Sequence, residues 1–398
     1  MEFVVTWLNK ENFMYRYVYP NISSHVMEVR HFRHRGTLMH NKFRYILLIF
    51  VILFAVGTSA CVDQEEVSAQ STRSITDMAG RTVAIPADVD RAVATSPPAT
   101  MLIYMLAPQK LAGWNFMPQG SQTYLKPEYQ TLPVIGGWFG KQDGNYETII
   151  SMGPDIIFEG YNSGGDVNFT INERQKKFGT IPVVGIESTI DAMAYEKSIK
   201  FMGDVLGEKE RAGQLISFYK RTLNNVTVKV SQIPEDERKR VYYAEGPDGL
   251  LTDPKGSPHS QLIEICGGVN VAECPIEQGY GRSAVSIEQV LQWDPEVIIT
   301  GDRKFYENVY EDPLWQDITA IKNDEVYLFP DAPFCWFDRP PGINRIIGIP
   351  WTAKVLYPQE FSDLDLRSHV KEFYSEFYHY ELSEDEIDEF LNPAAASN

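Results

Sequence analysis

The chain of 398 residues has little cysteine, little histidine and no block of basic residues, and each scarcity excludes something. Its four cysteines, Cys61, Cys266, Cys274 and Cys335, form no CxxC or Cys/His cluster of the kind a structural zinc site needs. Only three of seven histidines follow residue 60, and two of those, His369 and His379, lie in the C-terminal tail. His259 is therefore the one candidate metal ligand of the main body. A net charge of −18, with no Lys/Arg-rich block after residue 45, argues against a nucleic-acid partner. GxSxG, HExxH, P-loop and dinucleotide fingerprints are all missing, so the chain reads as a non-enzyme without a cofactor. No apolar run approaches the roughly 20 residues that span a bilayer comfortably. The longest, Tyr45–Val56, is a signal-peptide h-region in length.

That run has the flanks of an export signal. His40, Lys42 and Arg44 precede it, and Gly57-Thr58-Ser59-Ala60-Cys61 follows. The small residues before Cys61 resemble a lipobox, with Thr58 where a Leu is usual, and predict lipidation at Cys61. Ordinary signal cleavage and a retained anchor helix are the alternatives. Met39 sits where such a signal begins, so residues 1–38 are expected to be a non-native or unstructured extension, 39–60 the signal and 61–74 a polar tether. Export also permits a disulfide between Cys266 and either Cys274 or Cys335, against the plainer reading of small buried hydrophobes.

What is present is a phrase used twice. Residues 146–160 read YETIISMGPDIIFEG and residues 287–301 read IEQVLQWDPEVIITG. Glu147 matches Glu288, Pro154 matches Pro295, and Gly160 matches Gly301. Each copy has a helix-starting polar residue (Asn145, Ser286), an acid in the first turn, a short amphipathic helix, a Pro-led turn and a buried strand. The offset of 141 residues is too long for a solenoid, whose period is about 20–50 residues. It predicts two similar α/β lobes with a ligand cleft between them.

Strands are expected at Arg91–Thr95, Leu132–Ile135, Ile156–Phe158, Val183–Gly185, Arg240–Ala244 and Val326–Phe329, with a hairpin about Gly80 beginning at Ile75. Helical stretches alternate with them, which favours mainly parallel sheets flanked by helices. Thr189–Val230 lacks proline and carries apolar residues at helical spacing, predicting one long backbone helix between the lobes. The lobes are then 75–188 and 231–358, with 359–398 a helical, acidic tail that frays from Ser383 onward. A helix joining the lobes implies motion of a few degrees.

Seven segments in this order resemble a known family, the exported binding proteins of ABC importers for ferric siderophores, haem and cobalamin. They are DMAGRTVAIP, TSPPATMLIYMLAPQKLAGW, LPVIGGW, NYETIISMGPDIIFEG, LIEICGGVN, SIEQVLQWDPEVIITG and VYLFPDAPFCWFDRPPGINR. Together they span most of residues 75–358. The resemblance implies a monomeric, lipid-anchored receptor on the outer face of the cell membrane that passes a metal complex to permease subunits. It also implies that Glu147 and Glu288 dock permease arginines. A bare oxyanion such as molybdate or tungstate, or a nickel complex, is the alternative cargo. An extracytoplasmic enzyme or a surface receptor on the same scaffold is the remote alternative.

Open α/β sheets bind ligands beyond the carboxyl ends of their strands. That rule nominates Ser96, Thr100, Trp138, Tyr161, Asn162, Glu245, Trp336 and Arg339 as ligand-binding residues. Trp336 supplies a ring for a large flat ligand, and Arg339 suits a carboxylate or oxyanion. Arg345 is placed to support their loop by pairing with Asp338.

Overall fold

A computed structural model describes residues 71–140, 142–161, 166–187, 190–277 and 281–392. Asn162, the export signal, Cys61 and most of the tether lie outside the described residues. The helices that matter here are α1 (Pro97–Leu106), α2 (Tyr146–Ser151), α3 (Val167–Phe178), α4 (Tyr195–Leu206), α5 (Lys209–Val230), α6 (Gln261–Ile265), α7 (Ile287–Trp293), α8 (Arg345–Leu356), α9 (Leu366–Phe373) and α10 (Glu384–Leu391).

Strands β1 (Thr72–Thr76) and β2 (Thr82–Pro86) pair antiparallel, so regular structure begins three residues before the expected Ile75. The first lobe is built on a parallel sheet of β3 (Ala92–Ala94), β4 (Ile156–Tyr161) and β5 (Val183–Glu187), in that spatial order. The second lobe holds β6 (Arg240–Ala244), β7 (Leu251–Thr252), β8 (Val269–Asn270), β9 (Ser283–Ala284), β10 (Val297–Thr300) and β11 (Val326–Leu328). Four of these form a parallel sheet in the order β11-β10-β6-β8, while β7 and β9 make a small antiparallel ladder. The expected strand at Leu132–Ile135 is reduced to one bridge between Trp114 and Val134.

Period-two alternation sends the two faces of each sheet into different cores. Ala92, Ala94, Ile156 and Phe158 of the first lobe, and Val241, Tyr243, Val297 and Ile299 of the second, enter one shared cluster. The opposite faces serve separate clusters, around Val93, Ile157 and Val183 in the first lobe and Tyr242, Ile298 and Val326 in the second. At about 1.5–3 kcal/mol per buried large side chain, the shared cluster is the main adhesive between lobes. The repeat's terminal glycines have a steric reason. A Cβ at Gly160 would lie 2.6 Å from Ser96 Oγ, and one at Gly301 would lie 2.2 Å from the Phe329 ring.

The single long helix expected over Thr189–Val230 is instead an antiparallel pair. Gly207 takes a left-handed φ of 77° and caps α4, its N–H donating to Gly203 O, and the chain reverses through Glu208 into α5. The Tyr195 and Tyr219 rings lie 5.4 Å apart, tilted by 44°, and a Cβ on Gly203 would come within 2.4 Å of Ala212 Cβ, so the helices touch closely. The element running between the lobes is α5, whose 22 residues cover about 33 Å.

The tail does not fray at Ser383. From Asp363 to Glu376 it runs back along α5, with Lys229 paired to Asp363, Thr222 to His369 (2.8 Å), Arg221 to Glu372 (2.5 Å) and Arg211 to the Glu376 carbonyl (2.6 Å). Its end returns to the first lobe. Tyr104 Oη donates to Tyr378 O at 2.8 Å, and Phe390 packs 5.4 Å from Tyr124. Ser383 starts α10 with a capping box, and Ile387 and Phe390 are buried.

Candidate ligand cleft

In the second lobe, the segments beyond the strand ends gather a charged cluster. Glu245 follows β6, Asp253 follows β7, Arg282 precedes β9, and Asp338 and Arg339 lie on the loop after β11. Arg339 Nε and Nη2 donate to the two Glu245 oxygens at 2.5 and 3.0 Å, and Nη2 also donates to Asp253 Oδ2 at 2.5 Å. Arg282 Nε reaches Glu245 Oε1 at 3.2 Å. This bidentate, multiply bonded clamp holds Arg339 at a left-handed φ of 47°, a conformation a non-glycine residue adopts only when its surroundings enforce it. Burial lowers the proton affinity of Arg339, yet the Glu245 and Asp338 carboxylates outweigh that and raise it above the ordinary value. Glu245 is pushed up to about 7, burial outweighing the pull of Arg339.

His259 stands beside this cluster. Its Nδ1 lies 2.8 and 3.1 Å from the Asp338 oxygens, and the donor atoms of Asp253, His259 and Asp338 all fall within 4.8 Å of one another. In a neutral imidazole a carboxylate at Nδ1 holds the proton there and leaves Nε2 as a lone-pair donor, the arrangement seen behind metal-bound histidines. Among the described residues Nε2 has no hydrogen-bond partner, and the side chain keeps 14% of its surface open. Asp338 also accepts from Tyr243 Oη at 3.3 Å.

The first lobe contributes less directly. Ser96 opens α1, half-buried against Gly160, and Tyr161 closes β4, also half-buried. Trp138 is held by its N–H to Thr95 O (2.9 Å), with the Arg174 guanidinium 3.7 Å above its ring and Tyr146 at 4.5 Å. Thr100 is turned inward, its hydroxyl donating to Asn115 Oδ1 at 2.5 Å in a buried site. Asn115 in turn donates to Ala94 O and Gly136 O, a knot invisible in the sequence. The loop after Arg339 reaches the first lobe, where Tyr195 Oη donates to Gly342 O at 2.5 Å and a Gly342 Cβ would meet Met101 and Pro98.

Thr100, 1% exposed, thus leaves the ligand-binding set, and two further expectations about the site change here. Trp336 is 0% exposed and packs against Phe390 and Tyr374, so it is a core residue and its ring does not line the cleft. Arg345 does not pair with Asp338. It is buried, with Nε to Tyr195 Oη at 3.1 Å, Nη1 to Pro258 O at 2.8 Å and Nη2 to Ile190 O, and so braces the loop carrying His259. Asp253 and Arg282 were missed because only the fold brings them to Glu245. The described cysteines, Cys266, Cys274 and Cys335, are free thiols: Cys266 is buried and donates to Ile349 O, and Cys335 Sγ accepts the Asp338 N–H. Glu147 and Glu288 are exposed on α2 and α7, outside the charged cluster.

Two parallel-sheet lobes on a shared core, with a polar cluster at the strand ends, form an architecture that can hold a solute beyond the carboxyl ends of its strands. Residues 115–333 match the periplasmic binding protein family, and the chain belongs to it as a solute-binding protein of ABC importers. A solved ABC transporter solute-binding protein from Sulfurospirillum deleyianum superposes with a TM-score of 0.74 at 32% identity, covering 80% of this chain and 98% of that one. The molybdate-binding protein MolA of Haemophilus influenzae is 29% identical over 356 residues, 83% of this chain and 95% of its own. Its molybdate-bound structure matches with a TM-score of 0.63 at 26% identity, covering 78% of this chain and 99% of that one. The ABC transporter substrate-binding lipoprotein YvrC of Bacillus subtilis is 26% identical over 326 residues, 80% of this chain and 97% of its own.

Proposed function

We propose that this receptor carries a small anionic metal species, of the molybdate or tungstate type, to an ABC importer. The observation that carries the reading is the pairing of two donor types in one place. His259 Nε2, backed by Asp338, offers a nitrogen to a metal centre, while the positive charge of the Arg339 and Arg282 guanidiniums beside it favours an anion's oxygens. With Trp336 in the core, the aromatic case for a large flat ligand loses its principal ring. The molybdate named for a relative of this length supports the same choice. Glu147 and Glu288, one on each lobe, dock the permease, and Cys61 carries a lipid that keeps the receptor at the membrane, in keeping with the lipoprotein relative. The rest is binding and delivery, with the cargo released chemically unchanged.

Titration calorimetry with molybdate, tungstate, sulfate, nickel–histidine, a ferric catecholate and cobalamin tests this. Molybdate and tungstate should bind and sulfate should not, because its centre accepts no imidazole nitrogen. His259→Ala should abolish molybdate binding without lowering Tm. Binding of cobalamin or the ferric catecholate alone would replace the reading with that of a bulky complex. A ligand at 100 times its Kd adds about 2.7 kcal/mol, so a thermal shift gives an independent readout.

A further inference from the structure

The duplicated helices share more than their glutamates. From Asn145 to Asp155 and from Ser286 to Glu296, the order of buried, half-buried and exposed positions is the same except at Thr148 and Gln289. Asn145 and Ser286 both cap their helices through a side-chain oxygen. Ile149 and Val290, both fully buried, anchor them to their lobes. The next residue in each is a large apolar side chain left in water, Ile150 at 40% exposure and Leu291 at 37%. Neither belongs to a core cluster, so packing within the molecule does not account for an apolar residue there. Each sits three residues after its glutamate, on the same helix face.

We infer that Ile150 and Leu291 are contact residues of the importer-docking surface, each seated in an apolar socket of the permease beside the basic group that takes Glu147 or Glu288. This rests on the docking reading of those two glutamates. An exposed ion pair contributes little by itself, and an apolar neighbour that excludes water strengthens it. Two equivalent acid-plus-apolar patches, one per lobe, fit a partner that presents the same surface twice, as a two-fold symmetric pair of subunits would. The charge of the patches specifies a basic rim on that partner, and the side chains specify an aliphatic socket.

The test replaces the gene in the organism that makes the protein. Cell-associated molybdenum, tungsten, iron, cobalt and nickel are then measured by elemental mass spectrometry. Ile150→Ser and Leu291→Ser should each lower uptake of the transported element about fivefold, and together more than tenfold, from loss of roughly half a buried side chain per lobe. Leu314→Ser, at an exposed apolar position outside the repeats (59%), should leave uptake unchanged. The purified variants should bind molybdate, or whichever probe the wild type binds, with unaltered Kd. If the double serine variant transports normally while Glu147→Lys with Glu288→Lys abolishes uptake, the apolar sockets are refuted and the glutamate docking stands. If neither pair matters although gene deletion lowers uptake, the docking surface lies elsewhere and both fail. If deletion changes no element, the transport reading falls and takes this surface with it.

Discussion

Replacing Trp336 by phenylalanine separates a core brace from a ligand platform. The indole is fully buried, its Nε1–H donates to Tyr374 Oη at 3.1 Å, and Phe390 lies 5.8 Å away. Phenylalanine keeps most of the ring but removes the pyrrole edge, leaving a hole of one to two methylenes, about 1–1.5 kcal/mol. The lost hydrogen bond adds about 1 kcal/mol, and no more, because Tyr374 Oη still donates to Ala332 O. The total is about 2–2.5 kcal/mol. At about 2 °C per kcal/mol for a chain of this length, Tm should fall by about 5 °C. Scanning calorimetry reads that fall, and calorimetric titration with molybdate should give a Kd within twofold of wild type. An unchanged Tm with a tenfold weaker ligand would refute the placement and return the ring to the cleft.

Three further outcomes follow from particular contacts. Glu245, raised to about 7 by burial, neutralises Arg339 when ionised, so an incoming anion favours its protonated form. Molybdate affinity should therefore rise as pH falls from 8 toward 6, by up to about tenfold per pH unit above 7, and Glu245→Gln should flatten that slope. His369 and His379 are held neutral by burial, each lowered to about 4. Their contribution to stability is complete above pH 6.5 and disappears as pH falls through 4, so hydrogen exchange along residues 366–391 should accelerate first on acidification. Gly203→Ala gains up to about 1 kcal/mol of helix propensity but forces a methyl against Ala212, and urea melts should show a net loss of about 1–2 kcal/mol. A more stable variant would mean that the α4–α5 contact is looser than described.

The elements legible from the sequence were those with a local cause. The repeated αβ unit was readable from its caps, its Pro-led turn and its apolar spacing, and Arg240–Ala244 matches a strand residue for residue. The reversal at Gly207 was the harder case. A glycine inside an apolar helical pattern permits either a bend or a stop, and the choice depends on whether Ala212 packs against Gly203, a contact that periodicity does not encode. The tail was misjudged for a related reason. Its acidic composition hides Ile387 and Phe390, and the rings that pack on Phe390, those of Tyr124 and Trp336, lie far upstream in the chain. In the cleft, Glu245 and Arg339 were nominated from topology alone, whereas Asp253, Arg282 and the inward turn of Thr100 depend on loops converging in space.

The tail's return to the first lobe sets the order in which this protein can come into being. Tyr104 and Tyr124 are made well before the groups that cover them, and Tyr378 follows Tyr104 by 274 residues. At about 5–20 residues per second, the first lobe waits on the order of tens of seconds with an aromatic face uncovered. During that interval the face that Tyr378 and Phe390 later cover is a surface a holdase can bind.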